Sequence, residues 1–237
     1  MVPIVDRPSP NHGPRPPGTP VDMLVLHYTG MRSGAEAIDR LCDPAAQVSS
    51  HYVVEEDGTV FSLVPEDRRA WHAGVSCWRG HRDVNSRSVG IEIVNPGHEF
   101  GYRPFPEAQM AAVEALCRDI LSRWPIPPGN VVGHSDVAPA RKEDPGELFD
   151  WPRLAAAGIG LWPGHGTAWD GTAWEIAGVQ RGLARLGYDL AETGTLDEPT
   201  RCVLRAFQRH WRPAALTGEP DRETVARLGE LLRLAGR

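Results

Sequence analysis

The sequence predicts an α/β fold, a mixed central β-sheet flanked by helices, followed by a small all-α unit. Three observations predict it. From residue 21 to residue 157, short β-rich apolar runs alternate with stretches of helical periodicity, the pattern of helices packed on a sheet. A glycine-rich break, GLWPGHGTAWDGTA over 160–173, interrupts that pattern. Beyond it the apolar residues recur only at helical spacing.

The elements follow in order. Residues 1–20 are proline-rich and read as an extended arm packed on the next unit, not as an element. MLVLH (23–27) reads as a buried strand ending in His27, and a helix is expected around 34–42. HYVVEEDGTVFSLV carries a hairpin signal, two β-rich runs about Asp57-Gly58, a dipeptide suited to positive φ. SVGIEIVN (88–95) is a further strand. From 107 to 124, Met110, Val113, Leu116, Cys117, Ile120, Leu121 and Trp124 recur at helical spacing, and Pro125 stops the helix. VVGH is another strand, and 151–157 suits a short helix. In the tail, GTLDEPTRCVL (194–204) and GEPDRETVARL (218–228) form a half-repeat, G-x-x-D-x-x-T-x-x-x-L. Gly194 and Gly218 permit turns, Asp197 and Asp221 can cap the helices that follow, and Leu204 and Leu228 face a shared core.

Composition bounds the function. A net charge of −6 argues against holding nucleic acid by charge alone, because phosphate binding needs a basic surface. No run approaches the ~18 apolar residues that span a membrane. MVPIVDRPSPNHGPRPPG has neither the apolar run of a signal peptide nor a lipidation cysteine, so the expectation is a cytoplasmic protein. Cys42, Cys77, Cys117 and Cys202 are scattered, as reduced thiols are, and Cys117 reads as a small core residue.

The chemistry-bearing residues sit at strand ends. His27 closes one strand, His134 another, and Asp144 follows ten residues later, before Pro145-Gly146. Two imidazoles and a carboxylate suit Zn²⁺ with a fourth position left for water. A single histidine at a strand end is more often a structural residue, and this spacing alone is a weak metal signal. Glu92 points away from the face shared by Ile91 and Ile93. It is either a solvent-facing strand residue or a general base. Lys142, two residues before Asp144, is either a surface charge or an oxyanion stabiliser. RAWHAGVSCWRG (69–80) combines aromatic, cationic and glycine residues, which suits either a binding wall or the anchor of a long loop.

Five segments in register, VLHYTG, SSHYVVEEDGTVFSLVPE, RAWHAGVSCWRG, NSRSVGIEIVN and VVGHSDVAPARKEDPG, resemble the zinc-dependent N-acetylmuramoyl-L-alanine amidases of the type 2 family, which are related in fold to peptidoglycan recognition proteins. The likeness covers roughly residues 1–162. The tail resembles the three-helix peptidoglycan-binding domain attached to cell-wall hydrolases. The implied layout is an arm (1–20), a catalytic domain (21–163), a linker (164–172) and a helical domain (173–237). The resemblance implies one zinc ion on His27, His134 and Asp144, with Glu92 as catalytic base and Lys142 stabilising the oxyanion. It implies substrate contacts from Tyr28, Arg69, Trp71, His72 and Asn85. The bond cut would join the lactyl group of N-acetylmuramic acid to L-alanine of the stem peptide, in recycling of imported 1,6-anhydro-muropeptides. The implied partners are muropeptides or peptidoglycan fragments, with no nucleic acid, no membrane insertion and no obligate protein partner. The helical domain pulls the other way, toward polymeric wall and a periplasmic or wall-associated enzyme whose leader was removed. A recognition protein that grips without cutting lacks a need for Glu92 and Lys142. A metallopeptidase cutting within the peptide differs only in its product.

Overall fold

Met23–Tyr28 (β3) and Ser88–Ile93 (β7) form the centre of the molecule. In the computed structural model, which describes residues 3–164 and 175–236, these two strands pair in parallel, and Val131–Gly133 (β8) pairs in parallel on the other side of β3. Tyr52–Val54 (β4) lies parallel to β7, and Val60–Ser62 (β5) antiparallel to β4. Ile4–Asp6 (β1) lies parallel to β5 and completes a six-stranded mixed sheet of order β1-β5-β4-β7-β3-β8. The β4–β5 hairpin turns where the sequence places it. Gly58 has φ +89°, and a Cβ there would lie 2.8 Å from the Ala108 carbonyl oxygen, so both conformation and space demand glycine.

The arm differs from expectation. It supplies two strands: β1, and His12–Pro14 (β2), which pairs antiparallel with Arg68–Ala70 (β6). Pro3, Pro8 and Pro10 lie outside these strands and Pro14 ends β2, so prolines remove few ladder donors. The side chains of β1 are all exposed, which leaves no apolar alternation to reveal the strand.

The two sheet faces are covered differently. On one, Leu24, Leu26, Ile91 and Ile93 pack against Met110, Val113, Leu116, Cys117 and Ile120 of the helix Glu107–Arg123. On the other, the helix Gly34–Cys42, capped by Ser33, covers Val53 and Val94 through Ile38 and Leu41. Met23, Val25 and Val132 share an apolar core with three C-terminal helices, α7 (Ile176–Leu186), α8 (Glu198–Trp211) and α9 (Arg222–Ala235). Each fully buried Leu or Phe in these cores contributes about 1.5–3 kcal/mol.

The tail's half-repeat forms as its chemistry requires. Asp197 accepts from the Thr200 N–H and Asp221 from the Thr224 N–H, each at 3.0 Å, while Gly194 and Gly218 have φ of +72° and +68°. Leu204 and Leu228 are buried. Two buried glutamines extend the repeat: Gln180 donates to Thr200 Oγ1 and Gln208 to Thr224 Oγ1. The expected linker, 164–172, lies outside the described residues from 165 onward. No described helix is long and apolar enough to cross a membrane.

Candidate metal centre

Because β3, β7 and β8 run parallel, their carboxyl ends open at one edge of the sheet, where ligands of open α/β sheets bind. His27 and Glu92 are register partners near the ends of β3 and β7, so their side chains share a face. Gly133 ends β8 opposite Leu26, and the next residue, His134, begins the four-residue helix α5 (His134–Val137). Asp144 returns to the same point: its carbonyl accepts from the Ser135 N–H at 2.9 Å. Gly146, at φ +88°, then turns the chain away.

Three side-chain atoms meet there. His27 Nδ1, His134 Nδ1 and Asp144 Oδ2 form a triangle with every side 3.0 Å. The three residues are at most 5% exposed. Four ligands at about 2.0 Å from zinc, tetrahedrally placed, stand about 3.3 Å apart, so the spacing fits that ion.

The second nitrogens decide the protonation. His134 Nε2 lies 3.0 Å from the Ala73 carbonyl, which only accepts, so the ring proton is on Nε2 and Nδ1 presents a lone pair. His27 is fixed through a relay. The Ser88 hydroxyl donates to the Val84 carbonyl at 2.7 Å, so Ser88 Oγ accepts from His72 Nε2 at 3.0 Å. Burial, with the nearby histidines adding to it, holds His72 well below the ordinary imidazole range. Its Nδ1 therefore accepts, and His27 Nε2 donates to it at 3.0 Å. Burial also lowers the His27 pKa to about 4, leaving Nδ1 a lone pair at neutral pH. In these tautomers His27 Nδ1, His134 Nδ1 and the Asp144 carboxylate turn lone pairs toward one point, an arrangement suited to a cation.

Around this triangle is a cavity of about 590 Å³ lined by Tyr28, Trp71, His72, Glu92, Arg141 and Lys142. Glu92 is partly exposed to the cavity, but its Oε2 is sealed and without a hydrogen-bond partner among the described residues. Burial and the charge of Asp144 hold its carboxyl well above the usual range, against the opposing pull of Lys142. β7 offers the site a serine, a glycine and a glutamate at alternate positions. A Cβ on Gly90 would lie 2.6 Å from the His72 ring, so glycine makes room for the relay.

Residues 17–147 match the family described as N-acetylmuramoyl-L-alanine amidase, and residues 175–228 match a putative peptidoglycan binding domain. The chain belongs to the N-acetylmuramoyl-L-alanine amidases. It is 41% identical over 236 residues to the N-acetylmuramoyl-L-alanine amidase AmiD of Escherichia coli K12, covering 91% of this chain and 84% of that protein. It is 36% identical to the 1,6-anhydro-N-acetylmuramyl-L-alanine amidase AmpD of Enterobacter cloacae, over 63% of this chain and 87% of that one. Its fold is similar to that of E. coli AmiD solved with the substrate anhydro-N-acetylmuramic acid-L-Ala-D-gamma-Glu-L-Lys, with TM-score 0.80, 39% identity, and 93% and 92% of the two chains covered. It is also similar to AmpDh3 of Pseudomonas aeruginosa in complex with anhydromuramic pentapeptide, with TM-score 0.81, 35% identity, and coverage of 92% and 94%.

In this amidase, eight of the ten residues singled out in the sequence reach one place: His27, Tyr28, Trp71, His72, Glu92, His134, Lys142 and Asp144. Arg69 and Asn85 do not line the cavity. Arg69 bonds Ser86 and Asp83 at the surface, because β6 aims it there. Asn85 is buried and its Oδ1 accepts from the N–H groups of His72 and Ala73, holding the loop that carries the relay. Trp78, not Trp71, anchors that loop in the core. Ser88, the Ala73 carbonyl and Arg141, which donates to the Ala73 and Val75 carbonyls at 2.8 Å, were not singled out in the sequence. The S-V-G-I-E-I alternation of β7 is the one signal that points to Ser88.

Proposed function

We propose that this amidase hydrolyses the amide between the lactyl group of N-acetylmuramic acid and L-alanine of the stem peptide, using one zinc ion held by His27, His134 and Asp144. The observation that carries the reading is the buried triangle of two imidazole nitrogens and a carboxylate oxygen at 3.0 Å, with Glu92 in register with His27. The chemistry that zinc supplies in such a site is Lewis acidity, which polarises a carbonyl and acidifies water. Glu92 accepts a proton from the attacking water and delivers it to the departing amine; its raised pKa, from burial and Asp144, suits both steps. Lys142, which makes no ion pair among the described residues, offers its ammonium to the tetrahedral oxyanion. Tyr28 and Trp71, on the cavity wall, hold the sugar and peptide.

The substrate we favour is the 1,6-anhydro form, cut during recycling. Its support is the likeness to AmpD and to structures carrying anhydromuramyl peptides. We divide the chain into an arm (1–20), a catalytic domain (21–163), a linker (164–172) and a helical domain (173–237). We place the enzyme in the cytoplasm; its four cysteines are free, as suits a reducing compartment. A second reading, remodelling of polymeric wall outside the membrane, draws on the peptidoglycan-binding match over 175–228.

The test is incubation of zinc-loaded protein with an anhydro-muropeptide, with and without a chelator, read by mass spectrometry. Free stem peptide and intact anhydro sugar, abolished by the chelator, are the expected products. No cleavage there, with release of stem peptide from polymeric peptidoglycan, selects the second reading. No cleavage of either refutes the amidase.

A further inference from the structure

The C-terminal helices reach the metal centre through one carboxylate. Asp136 lies two residues after His134 in α5 and is fully buried. Its Oδ2 accepts from the Gly133 N–H at 2.8 Å and from His210 Nδ1 at 2.7 Å, and its Oδ1 accepts from the Tyr188 hydroxyl at 2.7 Å. Two of these three donors come from the C-terminal unit, His210 from α8 and Tyr188 from just beyond α7.

Both donors are rigidly held. The His210 ring is stacked between Trp151 and Trp211, with centroids 3.7 Å away on each side. Tyr188 packs edge-on against Trp78 at 5.2 Å, and the neighbouring Gly187 carbonyl accepts from the Arg79 N–H at 2.8 Å. α8 grips the other end of the same loop as well: Arg209 donates to Glu143, the residue before Asp144, at 3.1 Å. The two metal-facing residues of this loop, His134 and Asp144, therefore bracket two residues tied to the C-terminal unit, Asp136 and Glu143.

A helix of four residues has no stability of its own. Its direction is set by what it is anchored to, and a buried carboxylate is a demanding anchor, since each missing partner leaves desolvated charge. We infer that the C-terminal helical unit is a positioning element of the metal centre, with Tyr188 and His210 acting through Asp136 to hold His134 Nδ1 against His27 and Asp144. This rests on the reading of His134 as a zinc ligand.

The test uses the full chain and Tyr188→Phe, His210→Leu and His210→Asn, whose amide nitrogen stands where Nδ1 stood. Zinc Kd is read by competition with a chromogenic chelator, and folding by circular dichroism. Loss of a direct outer partner of a ligand typically weakens metal binding 10–100-fold; Tyr188 and His210 act one residue further out, through Asp136, so Tyr188→Phe and His210→Leu should each raise Kd by the low end of that range, about tenfold. His210→Asn should stay within about threefold of the parent. Arg201→Ala, which removes a surface ion pair with Glu219 in the same unit, should leave Kd unchanged. A purely structural role would lower thermal stability in the first two variants and leave the Kd of the folded protein alone, and that result overturns the inference. If His210→Leu does not fold, Tyr188→Phe, which loses a single hydroxyl, decides. A parent protein that binds no zinc removes the metal reading, and this inference with it.

Discussion

His72→Leu separates the relay from the binding wall. The substitution keeps the volume of the pocket beside Gly90 close to its present value but removes the acceptor at 3.0 Å from His27 Nε2. His27 is 1% exposed, so no solvent replaces that acceptor. Without metal, His27 can move its proton to Nδ1 and donate to Asp144 Oδ2, 3.0 Å away, escaping the loss. With metal on Nδ1 it cannot, and the proton stays on Nε2 with no partner. The cost of that buried unsatisfied donor, about 1–3 kcal/mol, therefore falls on the metal-bound state alone. It corresponds to a zinc Kd raised about 5- to 150-fold, at 1.4 kcal/mol per factor of ten. His72→Asn keeps an acceptor near Nδ1 and should hold Kd within about threefold. The assay is chelator competition near neutral pH, with KM measured on an anhydro-muropeptide at saturating zinc. A His72→Leu protein that is folded, binds zinc like the parent and shows only a raised KM would refute the relay and return His72 to substrate contact.

Glu92→Gln tests the proposed base while leaving His27, His134 and Asp144 in place. Turnover should fall about 10²–10⁴-fold while zinc Kd stays within about threefold, and near-normal kcat would take Glu92 out of that role. Far from the site, Glu66 accepts from Tyr52 and Arg123, each at 2.8 Å, and from Trp124. Burial raises its pKa, but these donors outweigh burial and the net shift is downward. A depressed folded pKa means stability present above the unfolded value of about 4.3 and lost as pH falls through the folded one. Glu66→Gln should therefore cost about 1–3 kcal/mol at neutral pH, and much less near pH 3. Urea denaturation at both pH values checks this, and a gap equal at both would contradict the assignment.

Much of the fold was legible because it is local. The helix over 107–124 and the hairpin at Asp57-Gly58 are written in spacing and turn chemistry, and the observed elements fall within a residue or two of them. The caps at Asp197 and Asp221 are legible for the same reason, since each partner is three residues away. β7 reads as a strand with Glu92 turned off its apolar face, because alternation needs no knowledge of neighbours. The His27–His134–Asp144 triangle was legible as residue types, two histidines at strand ends and a carboxylate ten residues on, and the five motifs in register gave those types an order.

Tertiary structure alone decided the rest. The strands of the arm depend on partners more than fifty residues away, on side chains that carry no apolar pattern. Arg69 and His72 stand three residues apart in one motif, yet one bonds at the surface and the other bonds the buried His27. The hydrogen bond from His72 to Ser88 spans 16 residues, that from His27 to His72 spans 45, and that from His210 to Asp136 spans 74. Periodicity tells which way a side chain faces relative to its own backbone. Which polar atom meets it there is set by how the strands cross over, and the packing of the C-terminal helices on the sheet brings Tyr188 and His210 to a carboxylate that the sequence leaves unremarkable.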